Sequence, residues 1–564
     1  MINSIPPGLI MFLGSFLIPF FPHISRQIYM FVLVFLSASS LFLGDGTHLI
    51  INFMDINFII NHSDELSFPF AIVFHIAAIL IIIYGSHIKE WREHLAIIGY
   101  AGAAIAALHA GDLFTLFLWW EATAFTSVIL IFGGKTYRSY KSAVRYILIQ
   151  VGSGILLLSG AILIFQNNNE VLFQELDVKS TAGLLIFIAF GIKAAFPFLN
   201  GWLQDSYPEA SEVGTVALSA FTTKLAIYAL ARSFAGADIL IIIGALMTFF
   251  PIFFAVIEND LRRVLTYSLN NQLGFMVVAV GIGSELAING AVAHAFAHIL
   301  YKGLLFMSMG AVLYRVGTCK ASELGGLFKH MPITAICSIV GAISISAFPL
   351  FSGFVAKSLI MSSLGYEGLT LIYFMLLFAS AGVLHHSGIK IPFFAFFAHE
   401  SGLKPKEAPL NMIIAMVISA FLCIFIGIFP SLFYQILPYQ VNYQPYDFSH
   451  VLSQLQLLTS AAFAFICLWH FKIYPPELNS TVLNSDWFYR KMIPGVIKPI
   501  IIEINKLNIF TNHFTKNILS SIQKFVLSLL YKNRVFNRET GYDTLIIVQT
   551  FGLILFILIV MQFV

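Results

Sequence analysis

Seven ionisable side chains stand inside long apolar runs. Glu121 lies in LFLWWEATAFTSVIL, Lys193 in IFIAFGIKAAFPF and Lys224 in LSAFTTKLAIYAL. His294, His298 and Lys302 share AVAHAFAHILYKGLL, and Lys357 follows in FPLFSGFVAKSLI. A charge in the middle of an apolar span is expensive, so it faces the protein interior and marks function. The chemistry open to these groups is proton transfer. Desolvation favours a neutral amine and a nearby carboxylate favours the charged one. Moving Glu121 toward or away from Lys193 would therefore load or release a proton. Pro197, four residues after Lys193, breaks its helix, frees a backbone carbonyl and makes room for water. The competing reading of Glu121 is a structural carboxylate satisfied by a neighbouring helix.

His294, His298 and Lys302 are spaced by four, and each step rotates about 40° on a helix, so they form one slanting stripe. Imidazoles relay protons near neutral pH. A zinc site at His-x-x-x-His is disfavoured, because the adjacent Glu of that motif is missing and Lys302 would repel a cation. Each histidine alone has a bland alternative, a ring satisfied by a backbone carbonyl. Lys224 lies mid-run. Lys357 lies nearer a helix end, where snorkelling competes with a proton role. His385 and His386 read as an interfacial pair, and Asp112, Glu258, Asp260, Arg262 and Arg263 as charges at span ends.

These groups must be positioned by membrane-spanning helices. Of 564 residues, 59% are hydrophobic and 10% charged, where soluble chains carry about 25% charged residues. Mean hydropathy is +0.87. Lipid must solvate much of such a surface. A net charge of +3 argues against nucleic acid as a partner. Cys319, Cys337, Cys423 and Cys467 have no CxxC spacing, so neither a metal nor a disulfide framework is expected. Apolar runs place about 14–16 spans, at 4–21, 27–44, 67–86, 94–110, 112–132, 141–165, 181–203, 212–234, 236–257, 262–282, 287–314, 332–362, 367–388, 409–430, 450–470 and 541–563. The first run lacks a basic leader, so it reads as a span rather than a cleaved signal. Lys and Arg, Lys390, Lys404 and Lys406 among them, concentrate in alternate loops, which puts those loops in the cytoplasm and the N-terminus outside. Residues 472–540 are basic, and 496–531 carry apolar residues at helical spacing, as expected of an amphipathic helix on the cytoplasmic face before a final anchor at 541–564.

The chain also echoes itself. Ala195-Phe196-Pro197 follows Lys193, and Ala347-Phe348-Pro349 precedes Lys357. Tyr146, Gln150 and Gly152 are matched by Tyr267, Gln272 and Gly274. Paired Pro-interrupted helices in two halves point to an inverted-repeat transporter.

Taken in order, LFLWWEATAFTSVILI, GIKAAFPFLNGWLQDSYPEASEVGTVALSAFTTKLAIYAL, IENDLRRVLTYSLNNQLGFMVVAVG, HAFAHILYKGLLFMSMGAV and AFPLFSGFVAKSLI resemble the signature segments of the antiporter-like membrane subunits shared by respiratory complex I and Mrp-type sodium/proton antiporters. TTKLAIYAL and GLKPKEAPLNMIIAM bring the resemblance nearest to the D-type Mrp subunit. It implies an all-α membrane protein with two inverted five-helix repeats, 111–234 and 235–388, between N-terminal helices 1–110 and C-terminal helices 389–471. It also implies roles: Glu121 and Lys193 as the ion pair, Lys224 as the next protonatable group, and His294, His298 and Lys302 as the bridge to Lys357, the terminal lysine. Some members carry a histidine near Lys224 that this chain lacks. The 496–531 helix is similar in placement to the family's lateral helix, but shorter.

The expected function is one subunit of a multi-subunit antiporter in a bacterial cell membrane, coupling proton flow to sodium export. Its implied partners are the other membrane subunits, H⁺ and Na⁺, and the expectation includes no cofactor. The alternatives are a proton-pumping subunit of NADH-quinone oxidoreductase or of a membrane-bound hydrogenase, and a scaffold that moves nothing.

Overall fold

The computed structural model describes residues 5–42, 44–53, 56–168, 170–474, 477–478, 482 and 487–532. They form two units, Met1–Asp486 and Trp487–Val564. In the first, α1 (Pro7–Ser15) and α2 (His23–Ala38) precede a two-stranded antiparallel hairpin, β1 (Gly46–Phe53) and β2 (Ile56–Ser63). Helices follow in series: α3 (Ser67–Tyr84), α4 (Trp91–Leu108), α5 (Leu113–Phe132), α6 (Tyr137–Asn168), α7 (Thr181–Lys193), α8 (Gly201–Ser206), α9 (Glu212–Ala220) and α10 (Thr222–Ser233). Then come α11 (Asp238–Ile257), α12 (Leu261–Ile282), α13 (Glu285–Val316), α14 (Pro332–Ile345), α15 (Ser352–Tyr366) and α16 (Thr370–Val383). α16 runs on through π-helical turns to Phe397, and helices Leu410–Ile428 and Phe448–His470 complete the unit. Among its described residues, the second unit carries π-helical turns at Phe488–Met492 that run into a long helix, Ile493–Lys532.

Every expected span except the last falls on helix; 541–563 lies outside the described residues. Nine helices among the described residues are long and apolar enough to cross a membrane. Two expected spans, 181–203 and 332–362, are each split into two half-helices, because a proline lacks the N–H that a helix interior needs. The hairpin is not among the expected elements. It ties to the bundle through Ile59 N–H to Asp112 Oδ2 (2.7 Å), His62 N–H to His109 O (2.8 Å) and Arg232 to Asp64 (2.6 Å).

α13 is the central helix: 94% of its apolar window is buried, against 33% for α6 at the rim. The α9–α10 span is buried throughout. α11 and α12 cross at Gly244 and Gly274, where a Cβ on either would collide with the other's backbone. Small residues permit such approach where no hydrophobic force drives helices together in lipid. Side-chain oxygens cap several helix starts: Asp112 accepts from Thr115 N–H, Ser180 from Gly183, Ser211 from Gly214 and Asp260 from Arg262. Asp112 and Asp260 thus stand at helix starts, as expected; Asp112 is buried with both carboxylate oxygens accepting, and Asp260 is half-buried. The two halves repeat one local pattern here. Leu113 N–H bonds Val171 O and Phe173 N–H bonds Gly111 O; correspondingly, Leu261 N–H bonds Cys319 O and Ala321 N–H bonds Asn259 O.

Candidate functional site: a buried row of lysines and histidines

The two Ala-Phe-Pro breaks have the same backbone. In the first, Ala195 N–H bonds Ile192 O (3.1 Å) and Phe196 N–H bonds Gly191 O (2.9 Å). In the second, Ala347 N–H bonds Ser344 O (3.1 Å) and Phe348 N–H bonds Ile343 O (3.3 Å). Positive φ recurs at Ala195 (62°) and Phe198 (66°), then at Ala347 (58°) and Leu350 (72°). Each half-helix therefore ends in a left-handed cap, and carbonyls of its last turn are released from the helix ladder.

Lysine amines sit at these breaks. Lys193, the last residue of α7 and fully buried, donates to Trp120 O (2.5 Å) and Thr123 Oγ1 (2.9 Å), with its ammonium 4.2 Å from the Trp120 ring centroid. Trp120 is itself fixed, its indole N–H bonding Ser153 Oγ (2.9 Å), which in turn bonds Ala189 O (2.7 Å). Lys357 reaches the second break from the far half-helix, donating to Ile345 O (2.8 Å) over the Phe275 ring (5.0 Å). It is 4% exposed, so it does not snorkel.

Glu121 follows Trp120 directly and interacts electrostatically with Lys193. The two are not in contact, however: no carboxylate among the described residues lies within 4 Å of Lys193, Lys224, Lys302 or Lys357. Glu121 Oε1 is buried without a protein hydrogen bond, in a space that exists because residue 154 is glycine; a Cβ there would collide with it. The expected ion pair is thus open, with the amine held on the backbone side of α5 instead.

The remaining expected residues form a second group. Lys224, just past the Phe221 interruption between α9 and α10, donates to Ser219 O (2.5 Å). His298 interacts electrostatically with Lys224, Lys302, His294 and Lys357. Neither ring nitrogen of His298 has a protein partner, nor does Lys302 Nζ. His294 Nε2 lies 3.3 Å from the Tyr301 hydroxyl, which donates to Gln272 Oε1 (3.2 Å). Gln150, Gln272's counterpart in the echo, is fully buried and has no protein partner for its amide. Buried polar atoms of this kind are normally satisfied by water. No cluster of metal-ligating side chains occurs among the described residues.

Two expectations are corrected. His385 and His386 are not an interfacial pair: His386 is 0% exposed, because the π-helical turns carry this stretch on into the interior. Lys390, read as a loop charge, is also 0% exposed and donates to Val256 O and Glu258 O, both at 2.6 Å. A helical period of 3.6 does not register π turns, and the sequence signal is the apolar run Ile391–Phe397 beyond Lys390.

The family described as "NADH:quinone oxidoreductase/Mrp antiporter, TM" matches residues 110–384. That segment holds all seven row residues. It is 30% identical over 270 residues to the D-type Na(+)/H(+) antiporter subunit of Alkalihalophilus pseudofirmus, covering 44% of this chain and 55% of the relative. It is 32% identical over 272 residues to NADH-ubiquinone oxidoreductase chain 5 of Artemia franciscana, covering 47% and 50%. The chain thus spans about half the length of these curated relatives. A chain of the Mrp complex from a Dietzia species shares the fold, with a TM-score of 0.77 at 21% identity over 96% of this chain and 65% of that one.

Proposed function

We propose that this chain is the proton-translocating subunit of a multi-subunit sodium/proton antiporter, moving protons along the buried row through its side chains and water. One observation carries the reading. Lys224, His294, His298, Lys302 and Lys357 share one interior region without a single carboxylate among the described residues within ion-pair distance. Permanently charged, such a group would be prohibitively costly. It is tolerable if each amine or imidazole holds a proton only in passing. Backbone carbonyls at the helix breaks receive the ammonium when it is charged. Glu121, next in sequence to Trp120 and within electrostatic reach of the Lys193 amine, is the counter-charge that loads the first lysine when it approaches.

The repeated caps and bridges support reading the two halves as inverted repeats, with the Lys/Arg-bearing loops in the cytoplasm of a bacterial cell and the N-terminus outside. The partners would be the other membrane subunits of the antiporter. The similarity to a chain of NADH-ubiquinone oxidoreductase favours a second reading, in which redox subunits drive the same row.

The test is the complete operon, expressed in a host without its own antiporters. In everted vesicles, added Na⁺ should collapse a preformed ΔpH in wild type and not in Glu121→Gln or Lys193→Met. Transport driven by NADH and insensitive to Na⁺ would select the second reading. Wild-type activity in both variants would remove the proton row altogether.

A further inference from the structure

The stretch after α16 is π-helical twice, over Leu384–Ile389 and again over Phe393–Phe397. π turns are rare and concentrate at functional sites. Lys390 lies between them. Besides its two carbonyl acceptors at the end of α11, its amine stands 3.1 Å from the Glu477 carboxylate, a side chain only 8% exposed. Lys390 therefore differs from the four lysines of the row, none of which has a carboxylate so close.

His386 lies one turn before Lys390. Its Nδ1 meets Ser387 Oγ (2.8 Å), which donates to Ser268 Oγ on α12 (2.7 Å), and its Nε2 has no protein partner. The charged and titratable groups around it come from three elements: Lys302 on α13, Lys357 on α15, and His385 and Lys390 on its own helix. Glu477 and Glu258 face Lys390. His385 packs its ring on Phe465 and Tyr474. Gly388 brings this helix against the second break, since a Cβ there would collide with Ser346 Oγ. His386 thus stands within electrostatic reach of Lys302 and Lys357, inside the bundle, and of Lys390, which lies beside Glu258 at the end that bears Asp260, Arg262 and Arg263.

We propose that His386, Lys390 and Glu477 form a branch carrying protons between the buried row and the water at the Glu258 end of the bundle. The proposal rests on the proton-row reading above. The N–H bond of the Lys302 ammonium breaks as one forms at His386 Nε2. The imidazolium then returns to neutral by protonating the Lys390 amine. Lys390, charged, is held by the Val256 and Glu258 carbonyls until Glu477 accepts the proton and releases it to water. Every step is a proton transfer, with water linking groups that do not touch.

The experiment compares Lys390→Arg, Lys390→Met, His386→Leu and Glu477→Gln with Lys193→Met, each in the whole complex, by Na⁺-driven ΔpH collapse in everted vesicles. The amount of assembled complex is read by native gel. Arginine keeps the charge and the donors to both carbonyls and Glu477, but does not give up a proton. A purely structural ion pair therefore survives Lys390→Arg, and a relay does not. The expected result is normal assembly with transport lowered at least about tenfold in Lys390→Arg and His386→Leu, in line with loss of one acid–base group. Wild-type transport in Lys390→Arg or His386→Leu, with Lys193→Met inactive, overturns the branch and leaves the antiport reading standing. Wild-type transport in Lys193→Met as well overturns the reading itself. If Lys390→Met fails to accumulate, Lys390→Arg decides.

Discussion

Gly154 offers the sharpest test of Glu121. Alanine at 154 would place its Cβ on the Glu121 carboxylate oxygen, the far end of a flexible side chain rather than backbone. The backbone of α6 need not move. The helix gains about 1 kcal/mol from replacing an interior glycine by alanine, and pushing Glu121 off its preferred rotamer costs about 0.5–1.5 kcal/mol. These nearly cancel, so Gly154→Ala should unfold within about 1 kcal/mol of wild type. Transport should not be spared, because the carboxylate is displaced from the seat at Gly154 from which it acts on Lys193. A loss of about 1.4 kcal/mol of that interaction is a tenfold slower rate. The assay is the initial rate of Na⁺-driven ΔpH collapse in everted vesicles, normalised to assembled complex, with Glu121→Gln alongside. A wild-type rate in Gly154→Ala beside an inactive Glu121→Gln would refute the claim that the seat of this carboxylate matters.

Other outcomes follow from the same geometry. Lys193→Met should keep or raise thermal stability, by up to about 4 kcal/mol where an ion is replaced by a well-packed apolar group; Trp120 O still accepts from Thr123 Oγ1 at 2.7 Å. The same variant should lose at least about tenfold in transport, and melting curves set beside vesicle rates check both. Ala195→Val and Ala347→Val force a β-branched residue into the left-handed region and should each lower stability by about 1–3 kcal/mol, whereas Ala195→Gly should not, as read by thermal unfolding in detergent. Asp64, in the loop before α3, is pushed up by burial, but Arg232 and Ser67 outweigh that and hold it below the usual carboxylate range. Its contribution is present above the unfolded value of about 4 and is lost as pH falls through the lower folded value. Asp64→Asn should flatten that acid-side fall in melting temperature.

The mid-span charges and the two prolines are legible in the sequence because both violate what an apolar helix tolerates. Seven residues and two breaks therefore stand out from the bare string of letters. Contact is harder to read. Lys193 turns to the carbonyl of Trp120 rather than to the carboxylate one residue on, and spacing along separate helices does not fix which face meets which. The hairpin at Gly46–Ser63 is hidden among short polar and β-branched residues between spans, since an isolated pair of strands has no long period. Lys390 and His386 escape because a window that ends the helix near 388 assigns the lysine to solvent, while the π turns carry the same residues inward.

The caps at the two breaks use Ala, Phe and Leu at positive φ where glycine would bend freely. Each junction is therefore a stiff joint, sterically narrow and committed to one shape. On the proton-row proposal, a carrier built on such joints need not flex its backbone at every turnover. On that proposal the travelling part is the lysine arm, four methylenes long, its amine moving between a fixed set of carbonyls and whatever partner comes within reach. Speed is then set by side-chain rotation and the arrival of water, both far faster than the domain rocking by which other carriers expose their sites.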